Sequence, residues 1–118
     1  MNMFEIVRQT NKVAEYWGDR MPMMAMEEAG EFIQAISKYE RALVEAKNRE
    51  EKLAEEDAGA QADFERETEE MVRTARQNLI DEFGDMWITL LALQSRYEDG
   101  SWGDDIDKRI ESKLSKKY

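Results

Sequence analysis

Two acidic pairs in this sequence have the spacing of metal ligands. Glu28 and Glu31 stand three apart in Glu27-Glu28-Ala29-Gly30-Glu31, and Glu82 and Asp85 stand three apart in Glu82-Phe83-Gly84-Asp85. Residues three apart share one face of a helix, so each pair presents two carboxylates together. The midpoint of Glu31 and Glu82 coincides with that of Glu28 and Asp85, between Glu56 and Asp57. An antiparallel helical hairpin turning there brings all four to one level, roughly 38 Å from the turn at ~1.5 Å per residue.

The surroundings of these acids set the chemistry. Glu82 falls within the apolar series Ala75, Leu79, Glu82, Met86, Leu90, and Glu28 and Glu31 border Ala25, Ala29 and Phe32. Carboxylates converging beside a core repel one another and resist desolvation, so they either take up protons or hold a cation. Lys and Arg are absent from the immediate neighbourhood of both pairs. The chain has neither His nor Cys, so a metal here is hard and oxygen-liganded: Mg²⁺, Mn²⁺ or Ca²⁺. A histidine-dependent di-iron site is excluded for the same reason. The competing reading is a solvated charge pattern, since 27 acidic residues in 118 make such spacings cheap. Glu67 and Glu70 give one by accident, but among Arg66, Glu69 and Arg73 rather than apolar neighbours. Gly30 and Gly84 sit inside both motif helices at about 1 kcal/mol each relative to Ala, which predicts a close backbone approach.

The elements that position these residues are helical. One proline and six glycines in 118 residues permit long helices. A first helix is expected over 3–17, stopped by Gly18, with Asp19 and Pro22 marking the next start. The second carries Ala25, Ala29, Phe32, Ile36, Tyr39, Leu43 and Ala46 at alternating spacings of four and three. A break is expected at Asp57-Ala58-Gly59-Ala60, and a third helix from about Gln61 carries Phe64, Met71, Ala75, Leu79, Met86, Leu90, Leu93 and Tyr97. Asp99 to Gly103 reads as a turn, and Asp104 as the cap of a last helix with Ile106, Ile110 and Leu114. The charge-rich stretch 47–70 reads as a solvated hairpin tip. The fold class is therefore all-α: a single domain over 1–118, a long antiparallel hairpin with flanking N- and C-terminal helices. So narrow an apolar seam predicts association into a larger helix bundle, as a homodimer or homotetramer.

Charge narrows the partners. A formal charge of −10 argues against nucleic acid and against an anionic membrane surface. A small phosphorylated substrate stays open where a metal supplies the positive charge. With no long apolar run and no signal-peptide pattern, a cytoplasmic location is expected.

The segments Met26-Glu27-Glu28-Ala29-Gly30-Glu31-Phe32 and Asp81-Glu82-Phe83-Gly84-Asp85-Met86-Trp87 resemble the paired motifs of the MazG-like, all-α nucleoside triphosphate pyrophosphohydrolases. Lys113-Leu114-Ser115-Lys116-Lys117-Tyr118 is similar to the basic-aromatic tail of that family. The resemblance covers roughly residues 3–45 and 75–118. The stretch between the half-motifs is longer than is usual there, and an asparagine often found before the tail lysine has no match. The resemblance implies Mg²⁺-dependent (or Mn²⁺-dependent) hydrolysis of (deoxy)nucleoside triphosphates to monophosphate and pyrophosphate, in control of the nucleotide pool. Glu28, Glu31, Glu82 and Asp85 are then the metal ligands, and Glu27 orients or deprotonates the attacking water. Lys113, Lys116 and Arg96 are candidates for the phosphates. Trp17, Trp87 and Trp102 are candidates to stack on the base, while seam positions favour core packing for Trp17 and Trp87. Met21, Met23, Met24 and Met26 suit the filling of an oligomer core. The non-enzymatic alternatives are an acidic helical adaptor or oligomerisation module, and a metal clip that only braces the hairpin.

Overall fold

The computed structural model describes residues 1–55 and 57–117. All its elements are helical, with no strand among the described residues: α1 (Met3–Trp17), α2 (Met21–Lys52), α3 (Ala58–Tyr97) and α4 (Trp102–Lys117). Short 3-10 turns, Gly18–Arg20 and Leu53–Glu55, follow α1 and α2. The all-α expectation holds. Of the residues expected at the turn, Glu56 lies outside the described residues, as does Tyr118 of the tail.

Each boundary has a local cause. Asn2 caps α1, its Oδ1 accepting from the Glu5 N–H at 2.8 Å. Gly18 ends α1 at φ +50° and ψ −126°, where side chains are strained, while its N–H bonds the Ala14 carbonyl. The break before α3 falls earlier than expected: Ala58, Gly59 and Ala60 are already helical. Asp57 explains the difference, because its Oδ1 accepts from the Ala60 N–H at 2.8 Å and starts the helix there. The last helix also starts early. Asp99 Oδ1 accepts from the Ser101 and Trp102 N–H groups, at 3.0 and 3.1 Å, so Trp102 and Gly103 are helical and Asp104 lies in the first turn rather than capping it.

The chain divides into two compact units, one of residues 1–25 with 87–118, the other of residues 26–86. In the first, Met21, Ala25 and Ala92 are buried with Thr10 and Thr89. Met21 is fully buried, which contributes roughly 1.5–3 kcal/mol. Arg96 donates to the Gly18 carbonyl at 2.8 Å and lies 3.8 Å from Asp19, tying the end of α3 to the α1–α2 turn. Trp102 packs on Tyr97, ring centroids 5.5 Å apart. Ile106, Ile110 and Leu114 are exposed along α4.

In the second unit, α2 and α3 touch at separate levels. Phe32 meets Phe83 edge to face. Nearer the break, Arg49 lies over the Phe64 ring, 5.4 Å from its centroid, and donates to Thr68 Oγ1 at 3.5 Å. At the break itself, Gln61 Nε2 donates to the Leu53 carbonyl at 2.6 Å. The buried line of α2 is Ala35 and Ala42, not Ile36 and Leu43, which are exposed. Alanine lets two helix backbones approach closely, and the larger neighbours turn outward. On α3, Leu79 and Met86 are half-buried as expected, whereas Leu90 and Tyr97 are exposed and Thr89 and Ala92 are buried in their place.

Candidate metal centre

The acidic residues occupy facing positions on α2 and α3 within the second unit. Carboxylate oxygens of Glu28, Glu82 and Asp85 all lie within 4.8 Å of one another, a separation that one cation can bridge. Glu28 and Glu82 are half-buried and Asp85 is exposed, so the group has a closed side and an open one. Glu31 is outside that triad, but its charge raises the pKa of both Glu28 and Glu82. Three of the four expected ligands thus converge, with the fourth coupled to them. Glu27 is exposed on the adjacent face and adds to the negative field at Glu28.

Electrostatics follow from this placement. Burial, then the charges of Glu31, Asp85, Glu82 and Glu27, push the Glu28 carboxyl above its ordinary value of 4.5. Burial, then Glu31 and Asp85, push Glu82 up from 4.5. No ion pair to Glu28, Glu31 or Glu82 occurs among the described residues.

The decisive feature is at the atom level. Glu28 Oε2 and Glu82 Oε2 are buried, and neither has a hydrogen-bond partner. A buried carboxylate oxygen without a donor gives up its hydration with nothing in return, so two of them side by side call for a proton or a cation. Carboxylate oxygens alone, open on one side, suit a hard divalent ion that keeps several waters. The residues present therefore fit magnesium or manganese.

Compared with known protein families, characterised proteins and solved structures, the chain matches none.

The structure corrects the readings of the glycines and of Trp87, and it places the remaining candidates. A Cβ built on Gly30 or Gly84 meets nothing within 4 Å, so neither glycine serves a close backbone approach. Trp87 is 52% exposed and does not pack in a core, whereas Trp17 is half-buried. Of the methionines, Met21 is buried but Met23 and Met26 are exposed. Arg96 is engaged with Gly18 and Asp19. Lys113 and Lys116 are exposed on α4, and Trp102 lies on Tyr97. These, with Trp17, belong to the first unit, and a role toward substrate stays an expectation for each. The sequence reading missed Phe32–Phe83 as a clamp beside the site, although both phenylalanines stand next to a ligand residue in the two motifs.

Proposed function

We propose that this chain is a Mg²⁺-dependent nucleoside triphosphate pyrophosphohydrolase, releasing monophosphate and pyrophosphate in the cytoplasm. One observation supports it above the others: the paired orphan oxygens of Glu28 and Glu82, converging with Asp85. In this reading α2 and α3 form an antiparallel hairpin, supported by the Phe32–Phe83 and Arg49–Phe64 contacts at matching distances from the break. The hairpins assemble as a homodimer or homotetramer, because the second unit buries so few of its large apolar side chains.

Glu28, Glu82 and Asp85 would hold the ion, with Glu31 steadying Glu82. Bound magnesium supplies positive charge against the triphosphate oxygens and makes a coordinated water more acidic. Glu27, exposed beside Glu28, would orient the attacking water or accept its proton, as carboxylates next to metal ligands do. Attack at the α-phosphorus expels pyrophosphate in one piece. The half-buried flank of Glu28 and Glu82 keeps bulk water from one side of the ion, while exposed Asp85 marks the side open to substrate.

The test is an assay of a nucleotide panel, both ribo and deoxy, with Mg²⁺, comparing wild type with Glu82→Gln. Pyrophosphate release by the wild type, reduced at least ~100-fold in the variant, is the expected result. Orthophosphate alone, or equal rates in the two proteins, would overturn the reading. A metal clip without catalysis would instead show a metal-dependent melting temperature and no release from any nucleotide.

A further inference from the structure

Residues of α2 and α3 near the break line a cleft of about 730 Å³, a size within the roughly 300–1,000 Å³ usual for small-molecule pockets. None of Glu28, Glu31, Glu82 and Asp85 lines it. Its apolar wall is Leu43, Leu53, Phe64 and Val72, of which all but Leu43 are half-buried. Charge in the cleft runs against the rest of the chain. Lys47, Arg49, Arg73 and Arg76 line it with three acids, Glu50, Glu65 and Glu69. The lining is therefore net positive in a protein of formal charge −10.

These cations are differently engaged. Lys47 and Arg76 make no ion pair among the described residues. Arg49 is held in place: its Nε donates to Glu45 at 3.1 Å, its Nη1 to Thr68 Oγ1 at 3.5 Å, and its guanidinium lies over the Phe64 ring. Nη2 of the same group has no partner among the described residues. A guanidinium fixed in this way offers a donor at little further cost in side-chain freedom. The lining is also graded along its length. Leu53 and Phe64 stand by the break, where Gln61 Nε2 meets the Leu53 carbonyl. Lys47 lies six residues before Leu53, and Arg76 lies twelve after Phe64. The two unpaired cations thus stand about 9–18 Å along their helices from the apolar end. A cationic amphiphile would meet Lys47 and Arg76 as like charges, and a small inorganic anion would leave the apolar wall uncovered.

We propose that this cleft binds a single-headed anionic amphiphile, an acyl-chain carboxylate, with its tail against Leu53 and Phe64 and its head at Lys47 and Arg76. The tail gains by leaving water, and the head gains from cations that nothing else in the chain neutralises. The ligand arrives as a free molecule rather than as part of a bilayer, because a chain of charge −10 is repelled by an anionic membrane surface. Neither the carboxylate cluster nor hydrolysis enters this inference.

The experiment is calorimetric titration of the full chain with dodecanoate below its critical micelle concentration, in EDTA and without nucleotide. Saturable binding of one dodecanoate per chain is expected. Octanoate should bind at least ~10-fold more weakly, since each buried methylene is worth up to about fourfold in affinity. Dodecyltrimethylammonium, with the same tail and the opposite charge, should not bind. Lys47→Glu combined with Arg76→Glu should weaken dodecanoate at least ~10-fold, while Arg8→Glu on α1 leaves it unchanged. All three changes are on exposed side chains, and circular dichroism checks that each variant stays helical with and without ligand. Absence of saturable binding would overturn the proposal, and is the outcome required if a second copy of the chain fills the cleft. So would equal binding of the ammonium compound, or undiminished binding by the doubly reversed variant. Sedimentation of the protein with phosphatidylglycerol vesicles would overturn the free ligand in favour of a bilayer. Because no metal or nucleotide is present, a failure here leaves the enzymatic reading standing, and a chain that hydrolyses nothing leaves this site standing.

Discussion

Phe32 meets the edge of Phe83 with ring centroids 5.4 Å apart and planes at 77°. Each ring stands one residue after a site carboxylate, Glu31 and Glu82. The contact therefore locks the level of α2 against α3 at the point where the acids converge. Phe32→Ala is expected to cost about 2 kcal/mol, less than a fully buried Phe because both rings are partly in solvent. Metal-free urea denaturation measures the loss. Weaker Mn²⁺ binding in the same variant, with all carboxylates intact, would identify the rings as setting ligand spacing.

Removing one charge from the cluster has opposite effects with and without metal. Glu82→Gln keeps the size of the side chain and deletes an ionised group whose buried oxygen has no partner. Without metal its melting temperature should equal or exceed that of wild type. A divalent ion at a hundred times its Kd stabilises the wild type by about 2.7 kcal/mol, and the variant by much less. Calorimetric melts with and without Mg²⁺ or Mn²⁺ decide this. An undiminished metal response in Glu82→Gln would remove it from the ligand set.

The acidic cluster also sets a pH dependence. Burial and neighbouring carboxylates raise Glu28 and Glu82 above 4.5, so the folded protein keeps protons that the unfolded chain has released. Metal-free stability from these groups is thus full below 4.5 and declines as pH rises through the raised values. Asp99 acts the other way. Hydrogen bonds from Ser101, then Trp102, hold it below 3.8, so its contribution is present above 3.8 and lost as pH falls through the folded value. Denaturation from about pH 3 to about pH 8 should show both limbs, and Glu28→Gln should flatten the upper one. Metal affinity should rise across the window in which stability of the metal-free protein falls, since binding displaces the protons.

Gly18 gives a test remote from the acids. Its φ of +50° with ψ −126° is a conformation that L side chains rarely adopt, although nothing lies within 4 Å of an added Cβ. Gly18→Ala should therefore cost about 1–3 kcal/mol through backbone strain alone. Thermal denaturation checks it, and an unchanged midpoint would mean that the α1–α2 turn relaxes freely.

The sequence revealed what depends on spacing and hid what depends on side-chain size. The facing of Glu28 with Glu82 and Asp85 follows from counting outward from a break, so it was legible before any coordinates. The helix starts at Ala58 and Trp102 were misjudged because Gly59 and Gly103 look like breakers, whereas Asp57 and Asp99 capture the first N–H groups ahead of them. On α2 the seam holds at Ala25, Ala29, Phe32, Tyr39 and Ala46 and misses by one residue at Ile36 and Leu43, where Ala35 and Ala42 are buried. Hydrophobicity ranks Ile36 and Leu43 above Ala35 and Ala42, but close approach of two helices favours the smaller residues. The rejected role of Gly30 and Gly84 has the same root, because composition near a site does not tell which way a helix faces.

The cap at Asp57 has a consequence for how such a chain changes over generations. Beyond the level of Arg49 and Phe64, each arm adds length without adding contacts to the carboxylates. Seven residues gained or lost in both arms together preserve helical phase to within about 20° and leave the acids opposite one another. The same change in one arm alone slides Glu28 past Glu82 by about 10 Å. The tip is free to lengthen or shorten only in step, like the two rails of a ladder, while the acidic rung beneath it stays where it is.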